Sequence, residues 1–124
     1  MLKKRLDSFR FAFSGLRELF ASTINARIHA FFSILAIVLG FAFGISSPEW
    51  LAIIGCIMLV ISLEAVNSAL ENIVDLVSPG RHPLAGKAKD LAAGAVLWAA
   101  MGAAVVGAIV FLPKIWAIFS LKYT

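Results

Sequence analysis

Hydrophobic residues fall into three long runs along this chain, and short polar segments separate the runs. The runs cover residues 30–46, 50–63 and 91–112. A helix needs about 20 apolar residues to cross the roughly 30 Å of hydrocarbon in a bilayer. The first and third runs meet or approach that length, whereas the second meets it only if the polar residues after it continue the same helix. The pattern predicts an all-α membrane protein with three spanning helices.

The segment before the first predicted span shows a different pattern. Apolar side chains recur there at spacings of three and four residues, and basic and polar residues occupy the rest of the helical wheel. The apolar positions are Leu2, Leu6, Phe9, Phe13, Leu16 and Phe20. Such a helix is typical of one that lies in the membrane interface. We therefore expect a single domain with an N-terminal amphipathic surface helix and entry segment over 1–27 and spans at 28–46, 50–77 and 84–119.

Proline and glycine punctuate the connections between the spans. Pro48 marks a tight turn after the first span, and the sequence SPGRHP (78–83) ends the second helix and begins the third. The third span carries small residues at every fourth position, namely Ala95, Ala99, Ala103 and Gly107. Such a ladder lets helix backbones approach closely in lipid. Because three helices are few to enclose a polar site, we expect a homo-oligomer.

Composition and charge agree with a membrane protein. Of the 124 residues, 61% are hydrophobic, and the mean hydropathy is +0.96. Nine of the 11 basic residues lie before the first span or between the second and third, which predicts a cytoplasmic N-terminus. The net charge of +4 indicates affinity for anionic lipid and not nucleic-acid binding. The single cysteine, Cys56, lies within a span and is expected to be a packed apolar residue.

One narrow face of the second helix carries three carboxylates and an amide. They are Glu64, Asn67, Glu71 and Asp75. If the span begins near Trp50, Glu64 lies about 9 Å inside the hydrocarbon and Glu71 lies at the inner interface. A carboxylate at that depth costs several kcal/mol unless it is paired, protonated or hydrated. Glu64 could act as a general base or acid and Glu71 could hold Mg²⁺, but spacing alone leaves catalysis, ion pairing and a proton or cation pathway open.

The loop after these acids favours a phosphorylated substrate. The sequence GRHPLAGKAKD, from Gly80 to Asp90, places cations beside the carboxylates on the predicted cytoplasmic side. It is not a P-loop, because Gly80 and Gly86 are separated by five residues and not four, and Ala88 stands where that motif needs Ser or Thr.

Together, EAVNSALENIVDLV and HPLAGKAKDLAAGAVL resemble the prokaryotic diacylglycerol kinase family of small membrane lipid kinases. GLR at 15–17 and NARIH at 25–29 extend the resemblance over nearly the whole chain. It implies a homotrimer with active sites between neighbouring subunits. It also implies phosphate transfer from Mg²⁺-bound ATP to a lipid alcohol, diacylglycerol or undecaprenol, at the cytoplasmic face of the bacterial inner membrane. The loop DLVSPGRHPLAGKAKDLAAGAVL is more similar to the undecaprenol kinase type.

The resemblance also implies roles for individual residues. Glu64 matches the catalytic base that takes a proton from the lipid hydroxyl, and Asn67 matches an amide near the reacting groups. Glu71 matches a Mg²⁺ ligand. The nucleotide-binding positions are Glu71, Gly80, Arg81, His82, Lys89 and Asp90.

One position departs from the family pattern. The family usually has a second acidic metal ligand four residues before the Arg of NARIH, and Thr23 stands there in this chain. A neutral hydroxyl in the metal shell implies altered metal binding, in which a water could replace the missing carboxylate. A catalytically weakened relative and a small cation or proton-coupled transporter are the alternatives to an active kinase.

Overall fold

The computed structural model describes residues 1–123 as four α-helices joined by short connections. They are α1 (Leu2–Ser22), α2 (Ile24–Phe43), α3 (Ser47–Val77) and α4 (Pro83–Lys122). The last three are each long and apolar enough to cross a membrane, and no strand occurs among the described residues. The prediction of an all-α protein with three such helices is confirmed.

The acid-bearing segment continues the second apolar run without a break. α3 contains 31 residues and is therefore about 46 Å long. That length exceeds the hydrocarbon thickness of a bilayer by about 16 Å. The second apolar run therefore reaches spanning length because the polar residues after it continue the same helix.

A sharp junction separates α1 from α2. Thr23 takes an extended conformation between them, with φ −109° and ψ 117°. The Arg27 guanidinium donates to the carbonyl oxygens of Phe20, at 2.8 Å, and Ala21. These carbonyls lie in the last turn of α1, where helical backbone acceptors are otherwise unpaired. Arg27 therefore fixes the direction in which the first helix leaves the spanning part of the molecule.

The turn between α2 and α3 is defined at both ends. Gly44 ends α2 in the left-handed conformation, with φ 59°, which favours glycine. Ser46 and Glu49 form a reciprocal capping box at the start of α3. Pro48 therefore lies in the first helical turn and not in the connection itself, where its missing N–H leaves no helical hydrogen bond unmade.

Two ion pairs join α3 to α4 at opposite ends of this antiparallel hairpin. Lys114 Nζ lies 2.7 Å from Glu49 Oε1 near the start of α3. Lys89 Nζ lies 2.5 Å from Asp75 Oδ1 near its end. Glu64 lies 15 residues after Glu49, and the residue 15 before Lys114 is Ala99. From the other pair, Glu64 lies 11 residues before Asp75, and the residue 11 after Lys89 is Ala100. Both ion pairs therefore place an alanine of α4 opposite Glu64.

The described residues form only a small hydrophobic core on the single chain. It comprises Ile45, Ile53, Val110 and Phe111, close to the α2–α3 turn. Most other large apolar side chains are exposed, including the predicted apolar positions Leu2, Leu6, Phe9, Phe13 and Leu16 of α1. Lipid or neighbouring chains must cover these surfaces, because no water-facing fold exposes so much apolar area.

Candidate active site

Glu64 is the most deeply enclosed large side chain in the described part of the molecule. Its exposed fraction is 1%, and that of Asn67, three residues further along α3, is 8%. Neither carboxylate oxygen of Glu64 has a hydrogen-bond partner, and the Asn67 Oδ1 atom has none either. The two alanines opposite Glu64 on α4 offer no side-chain donor. A buried carboxylate without a partner is costly to the fold, which makes Glu64 a candidate functional residue.

Asn67 lies between Glu64 and Glu71 on the acidic face of α3. Its Nδ2 atom donates to Glu71 Oε1 at 3.3 Å, one turn further along α3. Glu71 itself is exposed. The face therefore passes from an enclosed carboxylate, through an amide, to an exposed carboxylate.

A polar cavity of about 620 Å³ lies at the connection between α3 and α4. Its charged and polar lining residues include Asp75, Ser78, Arg81, His82 and Lys89. Two cations and one anion line this space, so it suits a ligand of negative charge. Among the predicted nucleotide-binding residues, Gly80, Arg81, His82 and Lys89 all line the cavity.

Local structure explains why His82 and its neighbours are held there. The His82 Nδ1 atom accepts from the backbone N–H of Leu84 at 3.2 Å and so caps the start of α4. Pro83 follows at a position where its missing N–H is not needed. The helix start, the cap and the two prolines of the connection together keep the loop cations beside the end of α3.

Three of the residues predicted to bind nucleotide or metal lie outside this cavity. Glu71 and Asp90 are exposed and do not line it, and Thr23 lies at the α1–α2 junction. Gly40 of α2 approaches α3 closely, because a methyl group added to it would lie 2.6 Å from the Trp50 ring. α2 and α3 are antiparallel neighbours, so Thr23, at the start of α2, lies toward the same end of the pair as Asn67 and Glu71.

Among the described residues, no group of three or more His, Cys, Asp or Glu side chains converges on one point. This donor set fits Mg²⁺ held with a nucleotide, because Mg²⁺ is usually bound through one or two carboxylates together with substrate phosphates. Glu71 would supply one carboxylate at the exposed end of the acidic face. Thr23 could supply only a hydroxyl, which is a weaker donor than a carboxylate.

Asp75 is a cavity residue to which the sequence analysis gave no role. Its position on the acidic face was recognised, but its partner was not, because Lys89 lies 14 residues away across the connection. Only the helix packing reveals that the two side chains meet.

A second, apolar cavity of about 430 Å³ lies between α2, α3 and α4. Val60, one turn before Glu64, lines it from α3, and His29 and Ser33 contribute polar groups from α2. Ala103 and Gly107 of the small-residue ladder form part of its α4 wall. The ladder therefore leaves space within this chain, next to Glu64, in addition to any contact it makes with another chain.

Comparison with known proteins identifies relatives along nearly the whole chain. The family model for prokaryotic diacylglycerol kinase matches residues 10–111. The chain is 38% identical to undecaprenol kinase of Bacillus subtilis (strain 168) over 114 residues, covering 92% of this chain and 93% of that protein. It is 41% identical to a diacylglycerol kinase of Synechocystis over 113 residues, covering 89% of this chain and 63% of the relative.

More distant relatives include the diacylglycerol kinase of Escherichia coli (strain K12). The chain is 29% identical to it over 109 residues, covering 88% of this chain and 86% of the relative. The match of the family model spans α2, α3, the polar connection and most of α4, together with the enclosed Glu64. The chain therefore belongs to the prokaryotic diacylglycerol kinase family and is a membrane lipid kinase.

Proposed function

We propose that this protein transfers the γ-phosphoryl group of Mg²⁺-bound ATP to the hydroxyl of a membrane lipid alcohol. The observation that supports this most is the arrangement along α3. An enclosed, unpaired Glu64 leads through Asn67 to an accessible Glu71, and a cation-lined cavity lies beside the end of the same helix. This arrangement supports a base on the enclosed part of α3, where a lipid hydroxyl would react, and phosphate-binding groups at its exposed end, where a soluble nucleotide would bind.

In the proposed reaction, a Glu64 oxygen accepts the proton of the lipid hydroxyl. The hydroxyl oxygen forms a bond to the γ-phosphorus as the bond to the bridging oxygen of ATP breaks, which leaves ADP and the lipid phosphate. Lys89 and Arg81, which line the polar cavity, bind phosphate oxygens and hold them in place. Positioning and charge neutralisation supply most of the catalysis in phosphoryl transfer.

Glu71 would hold the Mg²⁺, with Thr23 or a water completing the shell. When bound, the ion neutralises charge on the phosphates. The Asn67 amide donates to Glu71 and therefore orients the carboxylate that faces the ion.

We propose that the lipid chain occupies the apolar cavity between α2, α3 and α4. The α3 wall of this cavity includes Cys56 and Val60, which lie on the same stripe of the helix as Glu64. A chain placed there brings its hydroxyl end toward Glu64 when the enclosing helices part. His29 and Ser33 add polar groups to this otherwise apolar wall.

Undecaprenol is the substrate we favour over diacylglycerol. The similarity to undecaprenol kinase of Bacillus subtilis covers 92% of this chain and 93% of that protein, so the two have nearly the same extent. The loop between α3 and α4 also resembles that type. The distribution of basic residues predicts that the loop and the N-terminus lie at the cytoplasmic side of a bacterial inner membrane.

The test is ATP-dependent incorporation of phosphate into extracted lipid. The purified protein, reconstituted in bilayers, is supplied with undecaprenol, diacylglycerol or ceramide at equal mole fraction, and an Asn67→Ala variant serves as the site control. We expect the largest turnover with undecaprenol. Turnover with diacylglycerol alone would reassign the substrate. No turnover with any lipid, together with proton or cation flux through the reconstituted protein, would replace the kinase with a transporter.

A further inference from the structure

The polar cavity at the α3–α4 connection contains a carboxylate where a phosphate site needs cations. Asp75 lines the same wall as Arg81 and Lys89, and its side chain is 64% exposed. An unpaired carboxylate in that position would repel a nucleotide's phosphates. Its presence therefore requires a partner or a function.

Asp75 has one partner in the cavity. Its Oδ1 atom lies 2.5 Å from Lys89 Nζ, and the Lys89 side chain is 37% exposed. An ion pair this open to water contributes little net stability to a fold. The contact instead restricts the end of the long Lys89 side chain, which otherwise has many rotamers.

The ammonium group has three hydrogen-bond donors, and Asp75 uses one of them. The other two remain available to a ligand in the cavity. The two helices that carry the pair are held in register at their other end by the Glu49–Lys114 contact. The Lys89 ammonium thus has a defined location before any nucleotide is bound.

We propose that Asp75 is a positioning residue for the kinase reaction. It acts through Lys89 and holds its ammonium in the polar cavity, where the nucleotide phosphates are proposed to bind. The inference rests on the proposed nucleotide role of Lys89. It adds that this role depends on the carboxylate 14 residues earlier in the chain.

A positioning role predicts a particular kinetic signature for Asp75→Asn. Turnover falls, because nucleotide phosphates held by a misplaced ammonium are poorly aligned for transfer. The KM for ATP stays the same or decreases, because the substitution removes a negative charge from the wall of a phosphate site. We expect kcat to fall about two- to fivefold, the extent to which an exposed ion pair can bias a side chain. Asp75→Glu, which keeps the carboxylate, should recover part of this loss.

The matched control is Glu49→Gln. It removes the carboxylate of the other α3–α4 ion pair, at the opposite end of the hairpin and far from the cavity. If Asp75 merely maintained the register of the two helices, Glu49→Gln would lower kcat to a similar extent. We expect it to change thermal stability alone and to leave kcat and the KM for ATP as in the unmodified protein.

The Lys89→Gln variant distinguishes the nucleotide role of Lys89 from the positioning role of Asp75. If Lys89→Gln retains full activity, the nucleotide role of Lys89 is wrong. If Lys89→Gln loses activity while Asp75→Asn keeps the original kcat, the proposed function stands and the positioning role of Asp75 is overturned. A loss of kcat in Glu49→Gln equal to that in Asp75→Asn would overturn it as well.

Discussion

At the scale of single residues, the two glutamates of α3 differ in environment although they lie on one face. Glu64 is enclosed and its oxygens are unpaired, whereas Glu71 is exposed and accepts from Asn67. An enclosed carboxylate is suited to take a proton from a lipid hydroxyl, and an exposed one to bind a hydrated cation. Helix rise and bilayer thickness predict a further difference, in membrane depth, with Glu64 inside the hydrocarbon and Glu71 at its inner interface.

This difference predicts distinct defects for two equivalent substitutions. Glu64→Gln should lower kcat by about 10²–10⁴-fold, the usual cost of losing general-base catalysis, while nucleotide binding persists. Glu71→Gln should instead weaken nucleotide binding in the presence of Mg²⁺, because an amide neutralises the cation poorly. Calorimetric titration of ATP with and without Mg²⁺, alongside turnover assays, distinguishes the two. Full turnover in Glu64→Gln with every lipid would mean that Glu64 is not the base.

Thr23 gives a second prediction at this scale. The family resemblance implies a metal-binding role for this position, so Thr23→Glu should lower the Mg²⁺ concentration needed for half-maximal activity. Ser47→Glu adds the same charge at the opposite end of α3 from Glu71 and should leave the metal dependence unchanged. An identical Mg²⁺ titration for Thr23→Glu and the unmodified protein would place position 23 outside the metal shell.

At the scale of helices, the sequence predicted the elements and not how they pack. The hydrophobic runs and the proline-rich connection indicated where each helix lies, because membrane spans need a minimum apolar length. The partners across α3 and α4 could not be chosen from sequence. Glu49 and Lys114 lie 65 positions apart, and any of several basic residues could have met Glu49. Only the side-by-side packing of the two helices selects the pairs.

The close contact of α2 with α3 gives a prediction about stability. A methyl group at Gly40 would lie 2.6 Å from the Trp50 ring, which also packs on Phe41 with ring centroids 4.9 Å apart. Gly40→Ala should therefore lower the free energy of unfolding by about 1–3 kcal/mol, the usual cost of overpacking. At Gly55 an added methyl group meets nothing within 4 Å. Gly55→Ala should be neutral or stabilise α3 by up to about 1 kcal/mol.

Thermal unfolding of both variants in the same detergent checks this contrast. Equal melting temperatures for the two variants would show that the Trp50 ring moves aside at no cost.

At the scale of the whole molecule, the distribution of basic residues predicts the orientation in the membrane. With the N-terminus in the cytoplasm, three crossings place the α2–α3 turn and the C-terminal end outside. In a Cys56→Ala background, cysteines placed at Ser47 and Tyr123 should react with an impermeant reagent added to intact cells. A cysteine at Ser78 should react only after the membrane is permeabilised. Labelling at Ser78 alone in intact cells would reverse the orientation.

Assembly is the remaining property that one chain does not display. Its small core and broad apolar surface leave room for neighbouring chains as well as lipid. The small-residue ladder of α4 permits close helix contact, and the family resemblance implies a trimer with sites shared between subunits. Cross-linking in bilayers should then give a dominant species of three chains. An active protein that stays monomeric would contradict the trimer.

If active sites are shared between subunits, two inactive variants should complement each other when they are expressed together. Glu64→Gln and Lys89→Gln should each be nearly inactive when expressed singly. If Glu64 and Lys89 of one site come from different chains, co-expression lets some sites combine an intact Glu64 with an intact Lys89. Random mixing at equal expression should restore about a quarter of the activity. Co-expressing two tagged copies of the Glu64→Gln chain gives the baseline. Activity at that baseline in the mixed preparation would show that Glu64 and Lys89 serve the reaction from within the same chain, even if the protein is a trimer.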